Sequence, residues 1–201
     1  MLNLAILGSG RGSNLVNLIE ATKERKLPIN IILALADKAD APCLEKATQL
    51  GVKAFSLLPK EFSNRADYDR ALAQFLLDKG VDTVCLAGFM RILGSEFVSK
   101  FPGRILNIHP SLLPAFPGLN AQKQALEHGV KVSGCTVHFV DEGLDSGPII
   151  LQKVVSVLAD DTVESLAERI LVEEHKIYPL ALELLAKGRL TVKGRQVIIN
   201  E

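Results

Sequence analysis

The strongest constraint on this chain is a recurring order of apolar strand, glycine-closed turn and amphipathic helix. Residues Leu2 to Leu7 are apolar except for Asn3, and glycines end the run. From Ser13 to Arg25 the spacing changes to 3.6, placing Leu15, Leu18, Ile19 and Thr22 on one helical face. The order repeats with Ile29 to Ala36 as a strand and Ala41 to Leu50 as a helix with Pro42 near its start and Gly51 after its end. A short strand at Lys53 to Ser56 comes next, then a helix with Ser63 as its expected cap, carrying Ala66, Tyr68, Leu72, Phe75 and Leu76 and stopping at Gly80. Strand Thr83 to Leu86, a helical stretch near Ser95 to Ser99 and strand Arg104 to Ile108 complete the series. Such alternation predicts a parallel sheet with right-handed crossovers, whose doubly covered strands read as nearly continuous apolar runs.

The pattern changes after about residue 130. Val132 to Val140 and Pro148 to Val157 read as an antiparallel pair joined by Asp141 to Gly147. A helix from Thr162 to Lys187 follows, with Pro179 expected to kink or break it. Leu190 to Ile199 reads as a hairpin turning at Lys193 and Gly194. The fold class expected is α/β: an open, mainly parallel Rossmann-like sheet flanked by helices, with an antiparallel C-terminal extension. At 201 residues with no linker-like stretch, a single domain is expected.

Charge narrows the partners. Lys plus Arg and Asp plus Glu are 23 each, so no summed field drives binding to nucleic acid or anionic lipid, and any phosphate must be held locally. Cys43, Cys85 and Cys135 are odd in number and form no CxxC pair, which fits a reducing, cytoplasmic setting. No secretory signal is expected at the N-terminus, and no membrane span.

Two segments carry chemistry. Gly8, Ser9, Gly10, Arg11, Gly12, Ser13 and Asn14 lie between the first strand and helix, where glycines let a backbone approach an anion. A dinucleotide fingerprint would need glycine at 13 and an acid about 20 residues on. Neither is present, and no Gly-Lys-Ser/Thr element exists, so one phosphate suits this turn better than a diphosphate. The plain alternative is a tight turn with Ser13 as a helix cap.

Asn107 and His109 stand two apart at the carboxyl end of an apolar strand, so they face the same way, where open α/β sheets bind ligands. Pro110 and Pro114 stiffen the loop beyond. The acidic turn containing Asp141, Glu142 and Asp145 reads equally as a solvated hairpin loop or as a second part of a site. No G-x-S-x-G elbow surrounds Ser111, and His109, His128, His138 and His175 lack metal-ligand spacing, so no metal is expected.

Ala5 to Leu15, Val84 to Leu93 (VCLAGFMRIL), Leu106 to Gly118 (LNIHPSLLPAFPG), Gly134 to Ile150 (GCTVHFVDEGLDSGPII) and Glu174 to Pro179 (EHKIYP) together resemble the folate-dependent phosphoribosylglycinamide formyltransferases, in order along nearly the whole chain. The resemblance implies that 10-formyltetrahydrofolate, as co-substrate, gives its formyl group to the primary amine of glycinamide ribonucleotide in purine synthesis. It implies Asn107, His109 and Asp145 as the catalytic set, with Asn107 and protonated His109 holding the oxyanion and Asp145 accepting the amine's proton. It puts the nucleotide on Gly12, Ser13, Asn14 and Glu174, and the folate on Arg65, Met90, Arg91, Ile92, Leu93, Asn107, Val140, Asp141 and Asp145. Residues 1–110 would then be a phosphate-binding half and 111–201 the folate-site loops, antiparallel strands and long helix of one formyltransferase domain, acting as monomer or homodimer.

Gln122, Asp37 and Val16 depart from the family's usual histidine, asparagine and glutamine, outside the catalytic set. Formyltetrahydrofolate hydrolase and methionyl-tRNA formyltransferase share such a set. They differ by an extra N-terminal or C-terminal domain, and the tRNA enzyme also by a basic surface. A nicotinamide-dependent oxidoreductase or a non-catalytic nucleotide-binding module would use the glycine turn but leave Asn107 and His109 idle.

Overall fold

The computed structural model describes residues 1–200 and divides into two compact units, Met1–Leu106 and the chain from Asn107 onward. The first unit holds β1 (Leu2–Gly8), α1 (Ser13–Glu24), β2 (Ile29–Ala36), α2 (Pro42–Gln49), β3 (Ala54–Ser56), α3 (Arg65–Asp78), β4 (Thr83–Leu86) and α4 (Ser95–Val98). Its strands lie in the order β3-β2-β1-β4 and every pair is parallel. The expected strand-helix alternation is therefore realised. Leu4, Ala5, Ile6 and Leu7 of β1 are wholly buried, which is why this strand shows no polar alternation. The chain winds outward from β1 through β2 to β3, then returns to the other side of β1 as β4. That reversal makes the carboxyl ends of β1 and β4 a topological switch point, the usual ligand position in open α/β sheets.

β5 (Ile105–His109) carries the chain into the second unit, which holds α5 (Ala121–Glu127), β6 (Val132–Phe139), β7 (Ile149–Ser156), α6 (Val163–Ala186), β8 (Leu190–Lys193) and β9 (Gln196–Ile199). β6 and β7 are antiparallel, as are β8 and β9, and β9 joins β7 through the parallel pair Ile149 and Gln196. The register of β6 on β7 slips after Val137: Val137 faces Leu151 but His138 faces Ile149. The slip leaves Ile150 of β7 as an extra residue opposite β6. Gly134 lies so close to β7 that a Cβ there would overlap the Lys153 carbonyl.

The mainly parallel sheet with helices and an antiparallel C-terminal part is the architecture expected. Three local details differ. Asn64, not Ser63, caps α3: its Oδ1 accepts the Asp67 N–H at 3.0 Å, because a cap must stand directly before the first helical residue, here Arg65. α6 runs unbroken through Pro179. The proline removes one N–H, but Leu166, Ile170, Ile177, Tyr178, Ala181 and Leu182 bury a continuous stripe that holds both halves in one helix. α5 has no counterpart in the sequence reading, since seven residues with only Ala121 and Ala125 buried make a faint periodic signal. No helix among the described residues is long and apolar enough to cross a membrane.

Candidate active site

In the first unit the glycine turn is built from backbone. Gly12 is left-handed at φ 75° and occupies the N-cap of α1, while Ser13 is the first helical residue and makes no cap. A Cβ at position 12 would overlap Cβ and Cα of Cys43, whose own N–H donates to the Gly10 carbonyl at 3.1 Å. Glycine at 12 thus answers both backbone strain and close packing. The turn is tied to the segment after β4: Ser9 N–H donates to the Gly88 carbonyl (3.1 Å) and Met90 N–H to Ser9 Oγ (2.9 Å). Lys46 Nζ donates to the Arg11 carbonyl at 2.7 Å, and no acid stands in the first turn of α1. Uncapped N–H groups at a helix start, a cation alongside and no competing carboxylate suit an anion.

In the second unit four polar side chains converge. The Asp145 carboxylate, 12% exposed, takes the Gly118 N–H at 2.8 Å on Oδ2, where His109 Nδ1 also lies at 3.3 Å. On Oδ1 it meets Asn107 Nδ2 at 3.5 Å, with His138 Nε2 at 3.8 Å. Asn107, His109 and Asp145, expected to share one site, lie within 3.5 Å of one another through the Asp145 carboxylate. His138 is the member of this group that local sequence does not single out, since its neighbours Val137 and Phe139 are apolar and it meets Asn107 from 31 residues away.

The tautomers follow from the backbone. His138 Nδ1 lies 2.8 Å from the Phe139 carbonyl, which only an N–H satisfies, so Nε2 is left to accept from Asn107 Nδ2 at 3.1 Å. Burial holds the His138 pKa below the usual histidine value, in keeping with this neutral acceptor, although nearby Asp145 pulls the other way. By the same logic His109 Nε2–H donates to the Phe116 carbonyl at 2.9 Å, turning its Nδ1 edge toward Asp145. Phe116 and Asp145 both carry positive φ, 54° and 48°. Strained residues that collect at one centre are held by the structure around them.

The loop after β5 is anchored from behind. Thr136 Oγ1 accepts the Leu113 N–H (3.1 Å) and donates to the Ser111 carbonyl (2.7 Å), while Gln152 Nε2 donates to the Leu113 carbonyl at 2.8 Å. Ser111 thus serves as loop scaffold, with Oγ donating to the Ala115 carbonyl. Among the described residues no group of three or more His, Cys, Asp or Glu side chains is placed to hold a metal ion.

The formyl transferase family profile matches residues 2–182. Phosphoribosylglycinamide formyltransferase of Escherichia coli (strain K12) is 46% identical over 189 residues, covering 94% of this chain and 89% of that protein. The chain belongs to the phosphoribosylglycinamide formyltransferase family. A solved structure of glycinamide ribonucleotide transformylase 1 from Symbiobacterium toebii superposes with a TM-score of 0.98 at 53% identity, over 100% of this chain and 95% of that one. The human trifunctional purine biosynthetic protein adenosine-3 is 50% identical over 185 residues, 92% of this chain, which spans only 18% of that longer protein's length.

The other residues singled out in this formyltransferase chain take distinct positions. Met90 and Ile92, 68% and 53% exposed, present apolar surface outward, whereas Leu93 is core packing. Arg91 lies over the Tyr68 ring at 5.3 Å, with Nη1 3.9 Å from Asp37 Oδ2. Arg65, at the first position of α3, pairs with Asp69 at 3.5 Å and is half exposed. Asp69 Oδ2 accepts the Gly94 N–H at 2.8 Å. Val140 is half buried, and Asp141 Oδ1 accepts Gly143 N–H (3.0 Å) and Ser146 Oγ–H (2.6 Å). Glu174 is buried within α6. Cys135 is buried too, and burial first, then Glu174 and Glu173, pushes its thiol up to about 12, so it is no nucleophile.

Proposed function

We propose that this protein transfers the formyl group of 10-formyltetrahydrofolate to the primary amine of glycinamide ribonucleotide. The observation that carries the reading is one carboxylate, Asp145, flanked by Asn107 Nδ2 and His109 Nδ1, in a chain whose relatives bear that name. Attack of a neutral amine on the formyl carbon puts negative charge on the formyl oxygen and positive charge on the amine nitrogen. Asn107 has one N–H fixed on His138 and a second directed at Asp145 over a long 3.5 Å, a length at which that N–H is readily given to a new oxyanion. The Nδ1 edge of His109, protonated, is the second donor. Asp145 holds that proton in place and accepts the amine's proton, directly or through water. Collapse of the adduct then breaks the bond from the formyl carbon to the folate nitrogen, which leaves as tetrahydrofolate carrying that proton.

The nucleotide's phosphate would rest on Gly12, Ser13 and Asn14, with Glu174 orienting the rest of it. The folate would be taken by Arg65, Met90, Arg91, Ile92, Leu93, Asn107, Val140, Asp141 and Asp145. Outward-facing Met90 and Ile92 support an apolar ring as occupant, since large exposed side chains side by side mark a binding surface. In this reading both compact units serve a single formyltransferase activity.

The test is an absorbance assay of formyl transfer with both substrates. Asn107→Ala should lower turnover by about 10² to 10³ at unchanged thermal stability. Wild-type turnover in that variant would remove Asn107 from the chemistry. Formate release without the nucleotide would identify a hydrolase instead.

A further inference from the structure

The loop that carries Asp145 leaves β6 after Phe139 and enters β7 at Ile149. Its front closes on itself through Asp141, which takes Gly143 N–H and Ser146 Oγ–H on one oxygen. Two glycines make the tight path possible, because a Cβ at 143 would strike Ser146 Oγ and one at 147 the Phe139 carbonyl. None of these bonds fixes the peptide that follows Asp145. That peptide's neighbour, the Ser146 carbonyl, accepts instead from Arg195 Nη2 at 2.9 Å, a donor 49 residues away.

Arg195 follows Gly194, φ 60°, in the turn between β8 and β9, and the next residue, Gln196, pairs with Ile149. The hairpin thus grips both sides of Gly147 and Pro148, by a side chain at Ser146 and by backbone at Ile149. The hairpin lies beyond residue 182, where the family profile's match ends. Asp145 has φ 48°, a conformation that costs a non-glycine residue about 1 kcal/mol or more and persists only where neighbouring contacts impose it.

We propose that Arg195 is a positioning residue for formyl transfer: it latches the exit of the Asp145 loop and so keeps the carboxylate aimed at Asn107 and His109. The proposal rests on the assignment of Asp145 made above. Arg195 is exposed, so its bond to a carbonyl adds little to global stability. Its effect lies in where the next residue points, and small displacements of catalytic groups cost turnover steeply.

The experiment compares Arg195→Ala, Arg195→Lys, Asp145→Asn and the double variant Asp145→Asn/Arg195→Ala in the full chain, by steady-state kinetics, melting and hydrogen exchange. Arg195→Ala should lower kcat about 5- to 10-fold with KM for the amine little changed and Tm within about 2 °C. Amides 142–147 should exchange faster, and Arg195→Lys should recover part of kcat. In the Asp145→Asn background, removing Arg195 should cost nothing further, because the two act as one unit. Wild-type kcat in Arg195→Ala, unchanged exchange in the loop, or an equal loss in both backgrounds would overturn the latch and leave the assignment of Asp145 standing. Full turnover in Asp145→Asn alone would overturn that assignment, and the latch with it.

Discussion

The glycine turn of the first unit and the Asp145 loop of the second each depend on a residue with positive φ, Gly12 at 75° and Asp145 at 48°. At position 12 the conformation is inexpensive, since glycine adopts it freely and leaves room for Cys43. At position 145 the chain needs a carboxylate and a left-handed backbone together, and aspartate supplies both at some strain. That strain is opposed by contacts from β5, from the loop at Gly118 and from the terminal hairpin. The conformation of a glycine turn can be specified by the residue itself, whereas a strained side-chain carboxylate must be held by residues from elsewhere in the chain.

The contrast is breakable at three positions. Asp145→Asn should have the largest effect, a fall in turnover of about 10³ with unchanged or slightly raised stability, because asparagine tolerates the same backbone but neither holds the imidazolium nor accepts a proton. A fall in Tm as the main outcome would make Asp145 structural, like Gly12. Gly12→Ala should do the reverse. Forced φ and overlap with Cys43 should lower stability by roughly 2–4 kcal/mol, seen as a Tm drop of about 10 °C, and raise KM for the phosphorylated substrate at near-normal kcat.

His138→Leu sharpens the comparison most finely. Without an acceptor for its N–H, Asn107 is free to rotate, and kcat should fall about tenfold with both KM values kept. A pH effect accompanies it. Because the folded pKa of His138 is depressed, the unfolded chain binds more protons than the native one once the pH drops below the usual histidine value of about 6.5. Stability is therefore fully present above that pH and declines as pH falls toward the depressed value. Urea midpoints at pH 7.5 and 5.5 should differ more for the wild type than for His138→Leu, and identical differences would count against a neutral, buried His138.

The glycine turn was readable because Gly8 to Asn14 meet one another through chain continuity, and the strand before and helix after them have strong periods. Asn107 and His109 were readable as a pair for the same reason, sharing one face of β5. Asp145 was ambiguous in its own neighbourhood, a carboxylate in an acidic turn that reads equally as solvated loop or as part of a site, and the resemblance tipped that balance. His138 was not readable at all. Its neighbours Val137 and Phe139 are apolar, and its partner Asn107 lies 31 residues away along the chain. Asn64 in place of Ser63 and the unbroken α6 show a further limit: competing caps and a tolerated proline are settled by packing energies that local preference does not contain.

What the sequence determined alone was the order of strands and helices apart from α5, the parallel character of the first unit, the antiparallel strand pairs of the second, and the glycine turn. All of these follow from periods of two and 3.6 and from the backbone freedom of single residues. Only the tertiary structure decided that Asn107, His109, His138 and Asp145 surround one another, and that Arg195 reaches the loop from the far end of the chain. Those outcomes rest on hydrogen bonds between residues tens of positions apart, and such bonds exist only after burial has fixed where each strand ends.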